Sequence, residues 1–255
     1  MTQSSAPAAP VRFSDQEVDR YARQLVLSEI GGPGQQALKR ARVLIVGLGG
    51  VGAPAALYLA AAGVGTLGLI DDDTVALSNL QRQIIFTTAD AERPKVEAGA
   101  AHLAALNPHI AVEPFPDRLT PDNARSLIER FDVVLDGTDD FATRFAVNAA
   151  CVAAGRPLVS GALGRWNGQV GVFTGQPCYQ CLVAEAPPDA ETCARVGVVG
   201  ALAGVIGSMM ALEAVKLITG AGHTLAGRLL IYDALAAETR TVRIGADAAC
   251  PSCGG

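Results

Sequence analysis

The sequence has no excess of positive charge, because its 255 residues carry 20 basic and 25 acidic side chains and a formal net charge of −5. Such a balance gives no electrostatic footprint for nucleic acid or for an anionic membrane, so we expect neither as a partner. Lysine and histidine are scarce, with three of each, and the histidines lie in no recognisable catalytic setting. A function that needs cations must therefore collect them at one local site.

Targeting and phosphate-loop signals are absent as well. The first dozen residues lack the apolar core of a secretory signal, so we expect 1–13 to be a flexible tail and the protein to be cytoplasmic. The uncharged run at 196–212 falls just short of the roughly 18 residues of a membrane span and predicts a buried core helix.

No Gly-x-x-x-x-Gly-Lys-Ser/Thr pattern occurs, which excludes a P-loop. No linker, repeat or low-complexity segment interrupts 14–255, which we expect to form a single domain.

An alternation of apolar strand and helix patterns is present instead. Residues 14–41 predict two short helices interrupted by Gly31-Gly32-Pro33-Gly34. The predicted strands that follow are 42–46, 66–70, 110–115, 132–136 and 157–160, and the predicted helices are 50–62, 94–106, 121–130 and 141–154. This is the pattern of an α/β fold with a Rossmann-like, doubly wound, mainly parallel sheet. The strand at 168–174, the apolar helix and a hairpin at 227–244 predict a C-terminal antiparallel extension that shares the core.

The segment VLIVGLGGVGAPAALYLAAAG at 43–63 predicts a nucleotide-binding strand, turn and helix. Its Gly-x-Gly-x-x-Gly spacing comes from Gly47, Gly49 and Gly52. The same spacing serves nicotinamide dehydrogenases and some ATP-using enzymes. Asp71, at the end of the second strand, is placed to hold a ribose hydroxyl in either nucleotide. These residues alone do not decide whether the nucleotide is ATP or a nicotinamide dinucleotide.

Polar side chains beyond the second strand favour a triphosphate. A dense polar patch occupies 78–83, and Lys95 lies just inside a helix start. Hydride transfer needs an apolar nicotinamide pocket and a proton donor, which the sequence does not indicate. After the fourth strand, Asp139 is placed to bridge a magnesium ion to phosphate oxygens. The alternative is that Asp139 or Asp140 only caps the next helix.

Seven motifs, in order along the chain from Asp19, carry a family resemblance: RYARQ (20–24), GLGGVG (47–52), LSNLQRQ (77–83), RPK (93–95), DGTDD (136–140), CYQC (178–181) and CPSC (250–253). The chain resembles the ubiquitin-activating-enzyme-like superfamily in its HesA/MoeB/ThiF branch of sulfur-carrier adenylyltransferases. That resemblance implies an enzyme that uses ATP and Mg²⁺ to adenylate the C-terminal Gly-Gly of a ubiquitin-like sulfur-carrier protein. The product would be a carrier acyl-adenylate, with release of pyrophosphate, in thiamine or molybdopterin cofactor biosynthesis.

The resemblance also implies roles for individual residues. Arg23 would reach the phosphates from a partner subunit, which implies a homodimer with composite sites. Arg82, Lys95 and a magnesium ion held through Asp139 would stabilise charge at the α-phosphate, and Asp71 would hold the ribose. The other predicted nucleotide-binding residues are Gly47, Gly49, Gly50, Gly52, Asp73, Ser78, Asn79, Gln81 and Asp140.

Two Cys-x-x-Cys pairs supply four thiolates, the donor set of a closed, structural zinc site, with one redox-active pair as the alternative. The expected ligands are Cys178, Cys181, Cys250 and Cys253. Cys193 lies outside both pairs next to Ala194 and Arg195. Thiamine-branch relatives have a cysteine here that links covalently to the carrier, so Cys193 is either a sulfur-transfer thiol or a bystander. Cys151, in an apolar helix, is expected in the core.

Three positions depart from the family pattern: Ala22, Gly137 and Asp140 replace the usual Asn, Cys and Asn. Asp140 adds a carboxylate that either repels phosphate or strengthens metal binding. Two other function classes stay open. A nicotinamide-dependent oxidoreductase is favoured only by the glycine turn and Asp71, and a zinc-stabilised, non-catalytic binding module only by the departures at Ala22 and Asp140.

The acidic balance also argues against a related branch that acts on a transfer RNA base. The sequence does not choose between the thiamine and the molybdopterin carrier. It carries no appended sulfurtransferase domain, so we expect a separate sulfur donor.

Overall fold

The computed structural model describes residues 12–187 and 197–254. The strands are β1 (Arg42–Val46), β2 (Thr66–Ile70), β3 (Ala111–Phe115), β4 (Val133–Asp136), β5 (Leu158–Gly164), β6 (Asn167–Phe173), β7 (Arg228–Asp233) and β8 (Glu238–Arg243). The helices are α1 (Asp15–Arg20), α2 (Ala22–Leu25), α3 (Gly31–Arg40), α4 (Gly52–Ala62), α5 (Lys95–Leu106), α6 (Pro121–Ile128), α7 (Phe141–Ala154), α8 (Tyr179–Leu182) and α9 (Gly200–Thr219). Short 3₁₀ helices occupy Leu77–Asn79 and Thr88–Asp90.

All eight strands join in one sheet, in the order β3-β2-β1-β4-β5-β6-β7-β8. The first five pair in parallel and the last three antiparallel, which confirms the doubly wound sheet and its antiparallel extension. Strand β1 lies at the centre of the parallel part and is apolar on both faces: Val43 and Ile45 face one buried cluster, and Leu44 and Val46 the other. A strand covered on both sides needs such an uninterrupted apolar run.

The chain reverses direction across the sheet between β1 and β4. From β1 it moves outward to β2 and β3, and it then returns to place β4 on the other side of β1. The loops after β1 and β4 therefore leave the sheet in opposite directions and open a crevice at its carboxyl edge. In open α/β sheets, ligands bind at this switch point.

Three helices, rather than the expected two, precede the sheet. The sequence Gly31-Gly32-Pro33-Gly34, expected as the interruption, forms the first turn of α3, and the break lies before it at 26–30. The prediction was wrong because Pro33 lies in a first turn, where backbone N–H groups have no acceptor within the helix and proline costs little. Helix α1 begins as a capping box between Ser14 and Glu17.

The long apolar helix α9 begins at Gly200, and residues 188–196, which include the start of the predicted run, lie outside the described residues. By length and composition α9 could cross a membrane. One of its faces nevertheless packs into the core with α4, as expected. Gly207 permits this approach, because a Cβ there would lie 2.4 Å from the carbonyl oxygen of Val51.

Candidate functional site

A cleft of about 690 Å³ opens at the carboxyl edge of the sheet, between the loops that follow β1, β2 and β4. We call it the switch-point cleft. Ten of the residues predicted to bind nucleotide or metal line it: Gly47, Gly49, Gly50, Asp71, Asp73, Asn79, Arg82, Lys95, Asp139 and Asp140. Gly52, Ser78, Gln81 and Arg23 do not.

The glycine loop at the base of the cleft is tightly packed against itself. Gly47 has a φ of +83°, in the left-handed region that favours glycine. A Cβ at Gly52 would lie 1.9 Å from the carbonyl oxygen of Gly47, so no larger residue fits there without displacing the loop. The amino terminus of α4 follows this loop directly, and its positive dipole end lies at the cleft, which Gly50 and Val51 line. Such a terminus attracts phosphate.

Asp71 follows β2 and fixes the glycine loop from the opposite side. Its carboxylate accepts hydrogen bonds from the backbone N–H of Leu48 at 2.7 Å and of Asp73 at 2.9 Å. Burial raises the pKa of Asp71 above its ordinary value, although the nearby Lys95 acts to lower it. The ionised carboxylate is therefore less favourable in the folded protein than in water, as often found for residues kept for function.

Lys95 is the first residue of α5 and only 4% exposed. Its Nζ lies 2.6 Å from Asp73 Oδ2 and 3.8 Å from Asp71 Oδ1. A helix amino terminus repels a cation, so this position conflicts with the helix dipole. The two carboxylates offset that conflict. The arrangement places a desolvated ammonium group beside the end of a helix, where a phosphate would meet both.

The polar patch after β2 is only partly directed at the cleft. Arg82 donates to the carbonyl oxygen of Ser78 at 3.1 Å and forms no ion pair with any described residue. Asn79 uses its Oδ1 to accept from the N–H of Ala76 at 3.2 Å. Ser78 and Gln81 are exposed outside the cleft lining. Arg82 therefore offers the cleft an unneutralised guanidinium group.

Gln83 lines the cleft but was not among the predicted site residues. It is 3% exposed, and within the described part of the chain its side-chain Oε1 has no hydrogen-bond partner. A buried unpaired acceptor is costly, so a donor from a bound ligand is expected to meet it. The motif LSNLQRQ ends on this residue, which was the only sequence signal for it.

A buried arginine was also missed. Arg144 is 5% exposed and donates to the carbonyl oxygens of Thr138 and Gly161 and to Ser160 Oγ. Burial acts to lower the pKa of Arg144, but Asp136, 3.9 Å away, and other neighbours act more strongly to raise it. The pKa therefore lies above its ordinary value, and the guanidinium stays charged. It ties the loop after β4 to β5 across the floor of the cleft. Its position within the apolar α7 gave no sequence signal.

The two aspartates after β4 have different environments. Asp140 is the N-cap of α7, because its Oδ1 accepts from the N–H of Thr143 at 2.8 Å, and its other oxygen lies 3.4 Å from Arg118 Nη2. Asn and Asp cap helices about equally well, so the departure from asparagine here keeps the cap. Asp139 is exposed at the cleft and accepts no hydrogen bond from any described residue. Its carboxylate is free to bind a cation.

Four cysteines meet beside α7, next to Asn148, and we call them the four-cysteine cluster. Their sulfur atoms lie within 4.8 Å of one another, with Cys178 and Cys250 at 3.5 Å and Cys181 and Cys253 at 3.4 Å. A tetrahedral zinc ion with bonds of 2.3 Å needs sulfur atoms about 3.8 Å apart. The cluster therefore fits a zinc ion held by four thiolates. Cys151 is buried in the core, and Cys193 lies outside the described residues.

Arg23 lies on α2 and is exposed, away from the cleft of its own chain. The residues beside it are anchored. Tyr21 packs against Gly63 and accepts a hydrogen bond from Asn107 Nδ2 at 2.9 Å, and Gln24 donates to the carbonyl oxygen of Ala62 at 3.1 Å. The backbone that carries Arg23 is thus fixed while its guanidinium faces outward.

The ThiF family model matches residues 21–253, and the protein therefore belongs to the ThiF family. The chain is 46% identical to the sulfur carrier protein adenylyltransferase of Thermus thermophilus, over 96% of this chain and 93% of the relative. It is 48% identical to the molybdopterin-synthase adenylyltransferase of Escherichia coli and 46% identical to the sulfur carrier protein ThiS adenylyltransferase of the same organism. Both alignments cover 95% of this chain and 98% of the relative.

Solved structures share the fold. PaaA superposes with a TM-score of 0.79 at 26% identity, over 96% of this chain and 78% of the other. MccB of Escherichia coli, solved with MccA-N7isoASN, gives a TM-score of 0.83 at 22% identity, over 97% of this chain and 77% of the other. The likeness to MccB concerns the fold alone. The family match confirms the resemblance predicted from the seven motifs, and none of the relatives named here is a nicotinamide-dependent oxidoreductase.

Opposite pKa shifts at two carboxylates give a test of which one is structural. Backbone N–H donation from Thr87 and the neighbouring His102 hold the pKa of Asp90 well below its ordinary value, against the effect of burial, whereas burial raises that of Asp71. Ionised Asp90 therefore stabilises the fold at pH 7, and ionised Asp71 opposes it. We expect Asp90→Asn to lower the melting temperature more than Asp71→Asn, which removes a desolvated charge but also one of the two carboxylates beside the buried Lys95; both are measured by calorimetry at pH 7.

Acidification provides the control. The contribution of Asp90 is lost as the pH falls towards its folded pKa, while protonation of Asp71 relieves the penalty on that residue. The Asp90→Asn variant should therefore lose less stability than the wild type between pH 7 and pH 3. A melting temperature lowered equally by both substitutions would contradict the assignment of Asp71 as a residue kept for function.

Proposed function

We propose that the protein adenylates the C-terminal glycine of a ubiquitin-like sulfur-carrier protein with ATP, in the cytoplasm. The observation that carries the proposal is that positively charged groups suited to phosphate converge in the switch-point cleft, among the aspartates that also line it. Buried Lys95, unpaired Arg82 and the amino terminus of α4 converge there without a P-loop. The names of the relatives support the same reaction.

The proposed reaction is an attack of the carrier's terminal carboxylate oxygen on the α-phosphorus of ATP. A new carboxyl–phosphate bond forms, the bond between the α-phosphorus and the bridging oxygen breaks, and pyrophosphate leaves with that electron pair. Two anions must approach each other, so catalysis depends on positioning and on cations more than on a general base. Arg82 and Lys95 are the proposed charge-stabilising residues.

The remaining cleft residues have proposed positions around the nucleotide. Asp71 accepts the ribose hydroxyls, since a carboxylate with two N–H donors keeps lone pairs for further donors. Gly47, Gly49, Gly50 and Gly52 allow the nucleotide to approach the backbone. Asp73 holds Lys95, and Asn79 orients Arg82 or the phosphates. Ser78 and Gln81 lie outside the cleft lining, and their proposed role is to position Arg82, whose guanidinium donates to the carbonyl oxygen of Ser78. Asp140 contributes through the cap of α7.

Asp139 is the proposed magnesium ligand. Its carboxylate is exposed at the cleft and has no described donor, and Mg²⁺ is commonly bound by one or two carboxylates together with substrate phosphates and water. When bound, the ion would neutralise charge on the phosphate oxygens and on the leaving pyrophosphate.

We further propose a homodimer in which Arg23 completes the site of the partner subunit. The support is that Arg23 is exposed, lies outside the cleft of its own chain and is carried by an anchored segment. Relatives named for a thiamine-pathway carrier and for molybdopterin synthase match at 46% and 48% identity, so the thiamine and molybdopterin pathways remain equal candidates. A separate sulfur donor would act on the adenylate, with Cys193 as the candidate thiol for a covalent sulfur step.

The first test of this function is ATP–pyrophosphate exchange. We expect exchange only when Mg²⁺ and a carrier ending in Gly-Gly are both present, because the carrier carboxylate is the nucleophile. The matched control is the same carrier without its last glycine. Exchange that proceeds without a carrier, or binding of nicotinamide nucleotide with no exchange, would contradict the proposal. Binding of ATP and carrier without exchange would favour the non-catalytic binding module.

The zinc assignment predicts about one metal equivalent per chain. The Cys250→Ser variant should lose the metal and several degrees of melting temperature together, since binding free energy of a structural zinc contributes to folding. Cys151→Ala is the control, because Cys151 is a buried cysteine outside the cluster and its loss should leave the metal content unchanged. Full zinc retention in the Cys250→Ser protein would refute the four-thiolate site.

The composite site predicts complementation between two inactive proteins. Arg23→Ala and Asp139→Ala should each abolish exchange while folding and dimerising normally. A mixed dimer contains one site with both defects and one with neither, so a purified mixed dimer should have about half of the wild-type activity, and an equimolar mixture after statistical subunit exchange about a quarter. Inactive mixed dimers, with an active hybrid of wild type and double mutant, would place Arg23 in the site of its own subunit.

A further inference from the structure

Helix α7 carries two buried polar residues one turn apart on one face. Arg144 and Asn148 are 5% and 1% exposed, and the four-residue spacing brings them next to each other along the helix. Arg144 points to the switch-point cleft, and Asn148 points to the four-cysteine cluster. One face of the helix therefore contacts both sites, which the proposed function treats as independent.

The side-chain amide of Asn148 forms hydrogen bonds through both its nitrogen and its oxygen to the segment that begins the first Cys-x-x-Cys pair. Its Nδ2 donates to Cys178 Sγ at 3.5 Å, and its Oδ1 accepts from the backbone N–H of Tyr179 at 2.8 Å. A buried amide that satisfies two consecutive residues fixes their position, because losing either bond leaves an unpaired polar group in the core. Cys178 and Tyr179 are thus held to α7 by one side chain.

Tyr179 continues the connection to the cleft. It is 3% exposed and packs edge-on against Phe173, with ring centroids 5.8 Å apart. Its ring also lies 5.9 Å from the guanidinium carbon of Arg144. Both side chains line the cleft. A shift of Tyr179 therefore moves the wall on which the guanidinium of Arg144 rests.

Arg144 in turn controls the shape of the cleft floor. It donates to the carbonyl oxygens of Thr138, in the loop that carries Asp139, and of Gly161, on β5. Asp136, at the end of β4, also joins these segments, because its Oδ1 accepts from Thr138 and its Oδ2 accepts from Ser160 Oγ at 3.3 Å. Arg144 and Asp136 together therefore set the distance between the loop after β4 and β5.

We propose that Asn148 is a positioning residue that couples the four-cysteine cluster to the switch-point cleft through Tyr179 and Arg144. The coupling rests on the proposed function, because it assumes that ATP binds the cleft and zinc the cluster. A ligand in either site restrains the contacts among Asn148, Tyr179 and Arg144. Binding at the other site then costs less conformational entropy, because those contacts are already ordered. By thermodynamic reciprocity, ATP then tightens zinc binding by the factor by which zinc tightens ATP binding.

The test measures zinc affinity by competition with a chelator, with and without saturating ATP and in the absence of carrier. In the wild type we expect ATP to tighten zinc binding by about tenfold. In Asn148→Ala the effect of ATP should vanish, and KM for ATP should rise by about the same factor, with kcat changed much less. Asn148→Asp keeps an acceptor for Tyr179 but replaces the donor to Cys178, and it should also lose the effect.

Val147→Ala is the matched control. Val147 is the neighbouring residue on α7, is fully buried and does not line the cleft, so its truncation lowers stability without removing a hydrogen bond of Asn148. It should keep the tenfold effect of ATP, which separates coupling from general destabilisation.

Two results would overturn the coupling alone: a wild type that binds ATP with unchanged zinc affinity, or Asn148 variants that keep the full effect. A wild type that does not bind ATP would overturn the proposed function and the coupling together. If Asn148→Ala does not fold, the Asn148→Asp protein decides the outcome by the same measurement.

Discussion

The site depends on one ion-paired cluster, the buried ammonium group of Lys95 between Asp71 and Asp73. Burying a cation at the amino terminus of α5 is unfavourable both for its hydration and for the helix dipole. The two carboxylates hold it there, and Asp71 also fixes the glycine loop through the N–H of Leu48. One carboxylate therefore links the glycine loop to the buried cation. A bound polyphosphate would relieve the conflict, because it offers Lys95 and the helix terminus the same negative charge.

The sheet supplies the place for this cluster. Its strand order reverses between β1 and β4, and the loops that follow them lie on either side of one crevice. Arg144 then joins the loop after β4 to β5 across the floor. The four-cysteine cluster is tied to α7 through Asn148, and the first turn of α7 lines the cleft, so parts of the chain far apart in sequence support the same wall.

Much of the fold and of the site could be predicted from the sequence in those places where a residue type has only one common physical role. The parallel strands are continuous apolar runs, and the Cys-x-x-Cys spacing confined four thiols to two short loops that proved to meet. The errors have a common origin. Pro33 looked like a helix break because its place within the first turn of α3 depends on where the helix starts. Arg144 and Asn148 were missed because a polar residue in an apolar helix has the same local pattern whether it faces solvent or a buried partner. The roles of Arg23 and Cys193 remain predictions.

The central claim is that the cations of the switch-point cleft hold the phosphates of ATP, and nucleotide affinity in Lys95→Met tests it most directly. Equilibrium dissociation constants for ATP and for adenosine, which has no phosphate, should be compared with those of the wild type at fixed salt and Mg²⁺. The account predicts that ATP binding weakens by about tenfold or more, as expected for loss of a buried charge-assisted contact, while adenosine binding changes much less. An equal loss for both ligands, or unchanged ATP affinity in a folded variant, would contradict it.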